Sequence, residues 1–211
     1  MKVRKRVYDS LLEEHFASHR QMALVTGPRQ VGKTTTCRNL SEDYVNWDNA
    51  EDRELILSGP GHLAERFGLD RLRETPPTVL FDELHKYPQW KSFLKGFFDT
   101  YADRAQIVVT GSSRLDTYRR GGESLMGRYF PYRMHPFSVA EVLSQDLPDV
   151  ERIIRPPQPI KTSDFEALWV HGGYPEPFLK REARFSRRWH SLRQEQLLQE
   201  DVRDFTQIQQ I

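Results

Sequence analysis

One cysteine, Cys37, is all that this chain of 211 residues carries. A disulfide framework within the chain is thereby excluded, and one thiol is too few for a cysteine-based zinc site. Cys37 itself reads as a small buried hydrophobe rather than a reactive thiol. Long apolar runs are also missing. None approaches the roughly 20 residues that a membrane-spanning helix needs, so no membrane partner is expected. The stretch Met1-Lys2-Val3-Arg4-Lys5-Arg6 lacks the apolar centre of a secretory signal, and a reducing cytoplasm is the expected setting. Net charge is scarce: 31 Lys and Arg face 30 Asp and Glu, which leaves +1. No global field draws the chain to nucleic acid or membrane. There is no internal repeat and no low-complexity tract. What is present is 37% hydrophobic and 29% charged residues. That suits one full domain plus an appendage, with ample material for a core.

The stretch that organises the rest is Gly27-Pro28-Arg29-Gln30-Val31-Gly32-Lys33-Thr34. It satisfies G-x-x-x-x-G-K-[ST] at every fixed position. Two glycines let the backbone curl so that successive N–H groups face an anion. Lys33 then reaches β- and γ-phosphates, and the Thr34 hydroxyl suits a magnesium ion. The apolar run Met22–Thr26 before it predicts a buried parallel strand, and Lys33–Leu40 after it predicts a helix whose positive end adds to the anion site. The candidate nucleotide-binding residues are Gly27, Pro28, Arg29, Gln30, Val31, Gly32, Lys33, Thr34 and Thr35.

About fifty residues after Lys33 comes Thr78-Val79-Leu80-Phe81-Asp82-Glu83, an apolar strand ending in two acids. With a phosphate loop upstream, this is the Walker B arrangement. Asp82 is the candidate partner of Thr34 at magnesium, and Glu83 is placed to position an attacking water. Gln106–Thr110 is a further buried strand, ending in Gly111-Ser112-Ser113-Arg114. A hydroxyl there lies between the phosphate-loop strand and the Asp82 strand. It either contacts a γ-phosphate or water, or caps a helix, and the two roles are compatible. His85 and Lys86 read either as ordinary loop residues or as contacts to phosphate or a neighbouring subunit, and Asp48 either as a solvated loop acid or as a strand-end acid near the site.

Other elements follow from periodicity. Residues 7–20 predict an amphipathic helix on Val7, Leu11, Leu12 and Phe16. Tyr44–Asp48 predicts a strand, followed by a polar stretch over 49–54, a Gly/Pro break at 58–61 and a helix over roughly 63–73. Trp90–Tyr101 predicts a helix packing Phe93, Leu94, Phe97 and Phe98 on the sheet. Tyr129–Met134 predicts a last strand, with Arg128 just before it as either a γ-phosphate arginine or half of a structural ion pair. Arg114, Arg119, Arg120 and Arg133 make this region basic, and Gly121-Gly122 breaks it. Ser138 caps a short helix Val139–Leu143, with Glu141 completing a capping box. Pro148, Pro156, Pro157 and Pro159 mark a linker. Beyond it, a helix over 162–170 is expected to bury Phe165, Leu168 and Trp169. A turn over 171–177 then precedes one long helix from Phe178. Residues 180–193 hold Lys180, Arg181, Arg184, Arg187, Arg188 and Arg193 against Glu182, a face that meets solvent, makes an inter-domain contact or binds DNA phosphates. Val202, Phe205 and Ile208 keep helical spacing to the last residues, from which a longer natural protein is expected.

Taken together, Leu24–Thr34, Phe81–Lys86, Thr110–Ser113, Ser124–Arg128 and Gly172–Pro177 resemble the prokaryotic AAA-type ATPases of the archaeal-ATPase-like branch. The resemblance implies an α/β P-loop fold, with a parallel five-stranded sheet of order 5-1-4-3-2 flanked by helices, and a small helical C-terminal segment. It implies ATP and Mg2+ as ligands, Ser112 or Ser113 as the sensor, and Arg128 as a candidate arginine finger. Lys33, Glu83, Ser112 and Arg128 are then the candidate catalytic residues. The expected division is an ATPase domain over 1–145, a proline-rich linker over 146–163, and a helical lid or incomplete domain over 164–211. Such proteins usually run about twice this length and carry a further C-terminal domain, which is therefore expected to be missing here.

Magnesium-dependent ATP hydrolysis is the leading expectation. A GTPase lacks its N-K-x-D motif here, a transporter ATPase lacks L-S-G-G-Q, and Glu83 beside Asp82 fits water activation better than a kinase. The rivals are a nucleotide-gated switch with little turnover and a DNA-binding regulator working through residues 180–193. Homo-oligomerisation is a further possible partnership.

Overall fold

The computed structural model describes residues 5–71, 73–111, 125–144, 146–147 and 157–197. Ser112, Ser113, Arg114, Arg119, Arg120, the Gly121-Gly122 break, most of the linker and residues 201–211 lie outside the described residues.

Contacts divide the chain into two units, Met1–His135 with Ser144–Pro156, and Pro136–Leu143 with Pro157–Ile211. The first is built on a five-stranded sheet in the order β2-β3-β4-β1-β5, the 5-1-4-3-2 order expected. Its strands are β1 Met22–Thr26, β2 Tyr44–Asn46, β3 Thr78–Asp82, β4 Gln106–Thr110 and β5 Tyr129–Arg133. All four pairings are parallel. Parallel strands need crossovers that cover both faces, which is why β1 is buried at all five positions and reads as an unbroken apolar run. β5 is the edge, where Pro131 costs no ladder bond on the open side.

Helix α5, Trp90–Tyr101, lays Phe93 and Phe97 against Phe81 of β3, with ring centroids 5.8 and 5.1 Å apart. Burial of each such ring stabilises the fold by roughly 1.5–3 kcal/mol. The polar stretch over 49–54, for which no element is expected, opens a helix, α3 Ala50–Leu57. Its start was legible: Asn49 Oδ1 accepts the Asp52 N–H at 3.1 Å, an ordinary N-cap. The next helix, α4, starts at Pro60 rather than Leu63 and ends at Arg66, because proline suits the first helical position.

Helix α1, Val7–Ser18, buries Asp9, Leu12 and His15, not the simple apolar stripe expected. His15 fastens it to the edge strand: Nε2 lies 2.7 Å from the Gln21 carbonyl and Nδ1 lies 2.8 Å from the Tyr132 hydroxyl. With the imidazole neutral, Nε2–H donates to the Gln21 carbonyl and Nδ1 accepts the Tyr132 hydroxyl proton. Burial lowers the His15 pKa below its ordinary value, with the Gln21 bond working against that and His19 adding to it. The unfolded chain therefore takes up this proton first as pH falls. His15 contributes no pH dependence well above its ordinary pKa, and stability drops as pH falls from about 6.5 towards the depressed folded value. Urea midpoints at about pH 7.5 and 5.5 should differ more for the native chain than for His15→Gln. Equal differences would remove His15 from the account.

Among the described residues the second unit holds four helices, α6 Val139–Leu143, α7 Thr162–His171, α8 Pro175–Lys180 and α9 Ala183–Gln196. Phe137, Val142, Ala167 and Phe178 form its core. This packing joins 136–143 to the later helices, whereas the sequence places them in the first domain. Phe137 N donates to the Gly173 carbonyl at 2.7 Å, and a Cβ on Gly173 would lie 2.3 Å from the Phe137 carbonyl oxygen. Two expectations are corrected here. Phe165 and Trp169 are 48% and 83% exposed, because α7 turns Ala167 and His171 inward instead. The long helix is two, since Arg181 takes a left-handed φ of 55° that ends α8.

Candidate active site

Strand register assembles the site. Asp82, the last residue of β3, stands opposite Thr110, the last of β4, and Thr110 stands opposite Val25 of β1. The segment after Thr26 therefore leaves the sheet at the same carboxyl edge that carries Asp82, the usual place for ligands in open α/β sheets. The loop is curled by positive φ at Gly27 (144°), Gln30 (64°) and Gly32 (100°). It runs into α2, Lys33–Arg38, which ends two residues sooner than expected.

Asp82 is buried and accepts three hydroxyl protons. Thr34 Oγ1 donates to Oδ2 at 2.8 Å, Tyr44 Oη donates to Oδ2 at 3.0 Å, and Thr110 Oγ1 donates to Oδ1. The structure thus brings together Thr34 and Asp82, 48 residues apart. Tyr44 and Thr110 were missed by sequence reasoning. The available signal was position: each hydroxyl sits on a strand next to β3. Burial, then the Asp82 charge, raises the Tyr44 hydroxyl pKa, so it stays a proton donor.

Lys33 is buried and turned onto its own loop, donating Nζ to the Gly27 carbonyl at 3.0 Å and the Pro28 carbonyl at 2.9 Å. Burial lowers its pKa, and the charges of Glu83 and Asp82 oppose that. A buried ammonium held by neutral carbonyls, beside a carboxylate held by hydroxyls, suits a ligand that brings anionic oxygens with a hard cation. Among the described residues no group of three or more His, Cys, Asp or Glu could hold a metal. Magnesium needs no such cage, because it keeps waters and takes one or two carboxylates plus phosphate oxygens. Thr34 and Asp82 fit that donor set.

Glu83 follows at the tip of β3 with a left-handed backbone, φ 54° and ψ 19°. A non-glycine residue there costs about 1–2 kcal/mol, so the turn is imposed by its surroundings. The Glu83 N–H donates to the Thr110 carbonyl at 3.1 Å. Its carboxylate lies 3.3 Å from Lys86 Nζ and 3.8 Å from His85 Nε2. Lys86 also donates to Asp48 at 2.5 Å. His85 and Lys86 thus flank the candidate water-positioning acid, and Asp48 reaches it through Lys86.

Arg6 was also missed. Its buried guanidinium donates to the Val31 carbonyl at 2.9 Å and the His135 carbonyl at 2.7 Å. Its N–H reaches Asp9 Oδ2 at 2.7 Å, while Asp9 Oδ1 accepts from Asn39 Nδ2 at 2.9 Å. The N-terminal arm thereby grips both the phosphate loop and the end of α2. A run of basic residues gives no hint of such a long-range bond.

Arg128 does not join the site. Its carbonyl accepts the Met22 N–H at 2.8 Å, at the start of β1, about 16 Å of strand away from the phosphate loop. Its guanidinium makes two bonds to Asp99, at 2.7 and 3.0 Å, which hold the Asp99 carboxyl below its usual range. A role at its own γ-phosphate is thus corrected to a structural ion pair. Ser112 lies outside the described residues. Thr35 follows Thr34 on α2, and Cys37 is buried there, its thiol pKa raised by burial above all. In the second unit Arg193 is buried and Arg181 is bound to Asp164 at 2.5 Å, so the basic stretch offers fewer cations than its sequence suggests. Among the described residues no helix is long and apolar enough to cross a membrane.

Residues 19–143 match the family model described as AAA domain. One uncharacterised protein of Mycobacterium bovis and one of Mycobacterium tuberculosis are each 27% identical over 184 residues, covering 82% of this chain and 34% of theirs. The chain therefore spans about a third of the length of the curated relatives it matches. Among solved structures, PCH-2 of C. elegans is similar with a TM-score of 0.42 and 15% identity, over 62% of this chain and 41% of that one.

Proposed function

Because this chain belongs to the AAA domain family of nucleotide-binding ATPases, we propose that it binds ATP with magnesium and hydrolyses the γ-phosphate. The observation that carries the reading is the Thr34–Asp82 bond at 2.8 Å, which joins the two motif halves beside the buried Lys33. In this proposal the loop N–H groups from Arg29 to Thr35, with that of Gly27, hold phosphate oxygens while Pro28, which has no N–H, shapes the turn, and Lys33 leaves its carbonyl partners for the phosphate. Thr34 and Asp82 hold magnesium, which when bound neutralises phosphate charge. Tyr44 and Thr110 keep the Asp82 carboxylate oriented. Glu83 accepts a hydrogen bond from the attacking water. The water oxygen bonds to the γ-phosphorus, the bond to the β–γ bridging oxygen breaks, and the water protons pass to phosphate and solvent.

The finer affiliation proposed is the archaeal-ATPase-like branch, on Arg29, Gln30 and the Gly127-Arg128 step. A cytoplasmic setting and a larger parent protein, with a partner domain that the ATPase drives or gates, belong to the same proposal. Any contribution of Arg128 to hydrolysis would be to a second copy's site.

Equilibrium titration with fluorescent mant-ATP tests the ligand reading. Affinity should fall at least about tenfold when EDTA replaces magnesium, and again in Lys33→Ala. Equal affinity in all three cases would sink it.

A further inference from the structure

We propose that Lys86 sets the availability of Glu83, and that Asp48 sets the position of Lys86. The inference rests on the reading of Glu83 as the acid that positions the attacking water. Two loops meet at this point, one leaving β2 and one leaving β3. They are joined at two adjacent positions: Trp47 stacks on Tyr87 with centroids 4.8 Å apart at 20°, and Asp48 binds Lys86 at 2.5 Å. The Trp47 N–H also donates to the Asp82 carbonyl at 3.1 Å, which extends the β2–β3 ladder to the edge of the site. The pairing therefore delivers the Lys86 ammonium to within 3.3 Å of Glu83 Oε2, the oxygen that also faces His85 at 3.8 Å.

One cation thus stands between two carboxylates. A carboxylate oxygen occupied by an ammonium is not available to accept a water proton. Asp48 holds Lys86 at the shorter distance and so keeps Glu83 from being fully paired. Without the Asp48 charge, Lys86 has one carboxylate left and closes on Glu83. Asp48 is thereby a positioning residue that acts through Lys86, and Lys86 is a brake. Anything that draws the β2 loop away from the β3 loop would apply that brake without touching the phosphate loop.

The test uses two readouts on the full chain. In magnesium-ATP, Asp48→Asn should slow phosphate release about tenfold, while mant-ATP affinity stays within about threefold. Asp48→Asn with Lys86→Met should recover to within about threefold of the native rate, a reversal that a merely structural role would not give. The second readout is acetylation of Lys86 by a limiting amine-reactive ester in nucleotide-free protein, followed by mass spectrometry. Labelling should stay within about twofold of native in Asp48→Asn, because Glu83 takes the ammonium, and rise about fivefold or more in Asp48→Asn with Glu83→Gln. The proposal is overturned by a native rate in Asp48→Asn, by a double variant no faster than that single one, or by labelling that rises fully in Asp48→Asn alone. If the native chain binds mant-ATP and releases no phosphate, the hydrolytic reading fails, and the labelling series still decides whether Lys86 passes between the two acids.

Discussion

Glu83→Gln is expected to lower phosphate release by about 100-fold or more while mant-ATP still binds within about threefold of native affinity. The substitution keeps the length and shape of the side chain, so the left-handed turn at φ 54° and the Glu83 N–H bond to Thr110 are kept. What is lost is a negative oxygen able to accept a water proton. Thr34, Lys33 and Asp82 are untouched, and they carry nucleotide and magnesium in the proposed mechanism. Lys86, relieved of one carboxylate, keeps Asp48 at 2.5 Å. Release within about threefold of native would show that Glu83 does not position the water.

Gly27→Ala is expected to abolish ATP binding and to destabilise the first unit by about 3 kcal/mol or more. Two costs combine at this position. Its φ of 144° lies in the range that side chains rarely adopt, and an added Cβ would lie 2.3 Å from the Met134 carbonyl oxygen. The oxygen is a backbone atom and the backbone alone fixes where the Cβ stands, so no rotamer change relieves the clash. Relief would require parting β1 from the end of β5, where the Met134 N–H donates to the Thr26 carbonyl at 2.7 Å. Gly61→Ala is the control: Gly61 lies in α4 with nothing within 4 Å of the added carbon. It should be neutral or slightly stabilising in urea unfolding. Similar urea midpoints for the two variants would contradict the packing argument.

Much of the first unit is legible in the residues because its signals are local. The apolar run of β1 can only be a buried strand when a glycine loop and helix follow, and β3 and β4 read as apolar runs that end in two acids and in Thr-Gly-Ser-Ser. Asp82 and Thr34 are likewise read from spacing, since one motif marks the end of β1 and the other the end of β3. What escapes is whatever depends on register between strands or on a long-range bond. The Tyr44 hydroxyl reaches Asp82 only because β2 lies beside β3. Arg6 reaches His135 across 129 residues. Lys86 looks like loop charge until the β2 loop is laid against it. Arg128 fails in the opposite sense: a Gly-Arg step before the last strand suggests a phosphate contact, but a parallel strand starts at the end of the sheet away from the site. In the second unit, Phe165 and Trp169 invite burial by hydrophobicity, yet α7 buries the small Ala167 against Phe137 and Phe178, and the large rings stay outside.

Phosphate release from ATP by the native chain, with magnesium and with EDTA, tests the central claim most directly. The account predicts many phosphates released per chain with magnesium and release at the spontaneous rate with EDTA. Release at the spontaneous rate in both, from protein that binds mant-ATP, would contradict it and leave a nucleotide-gated switch in its place.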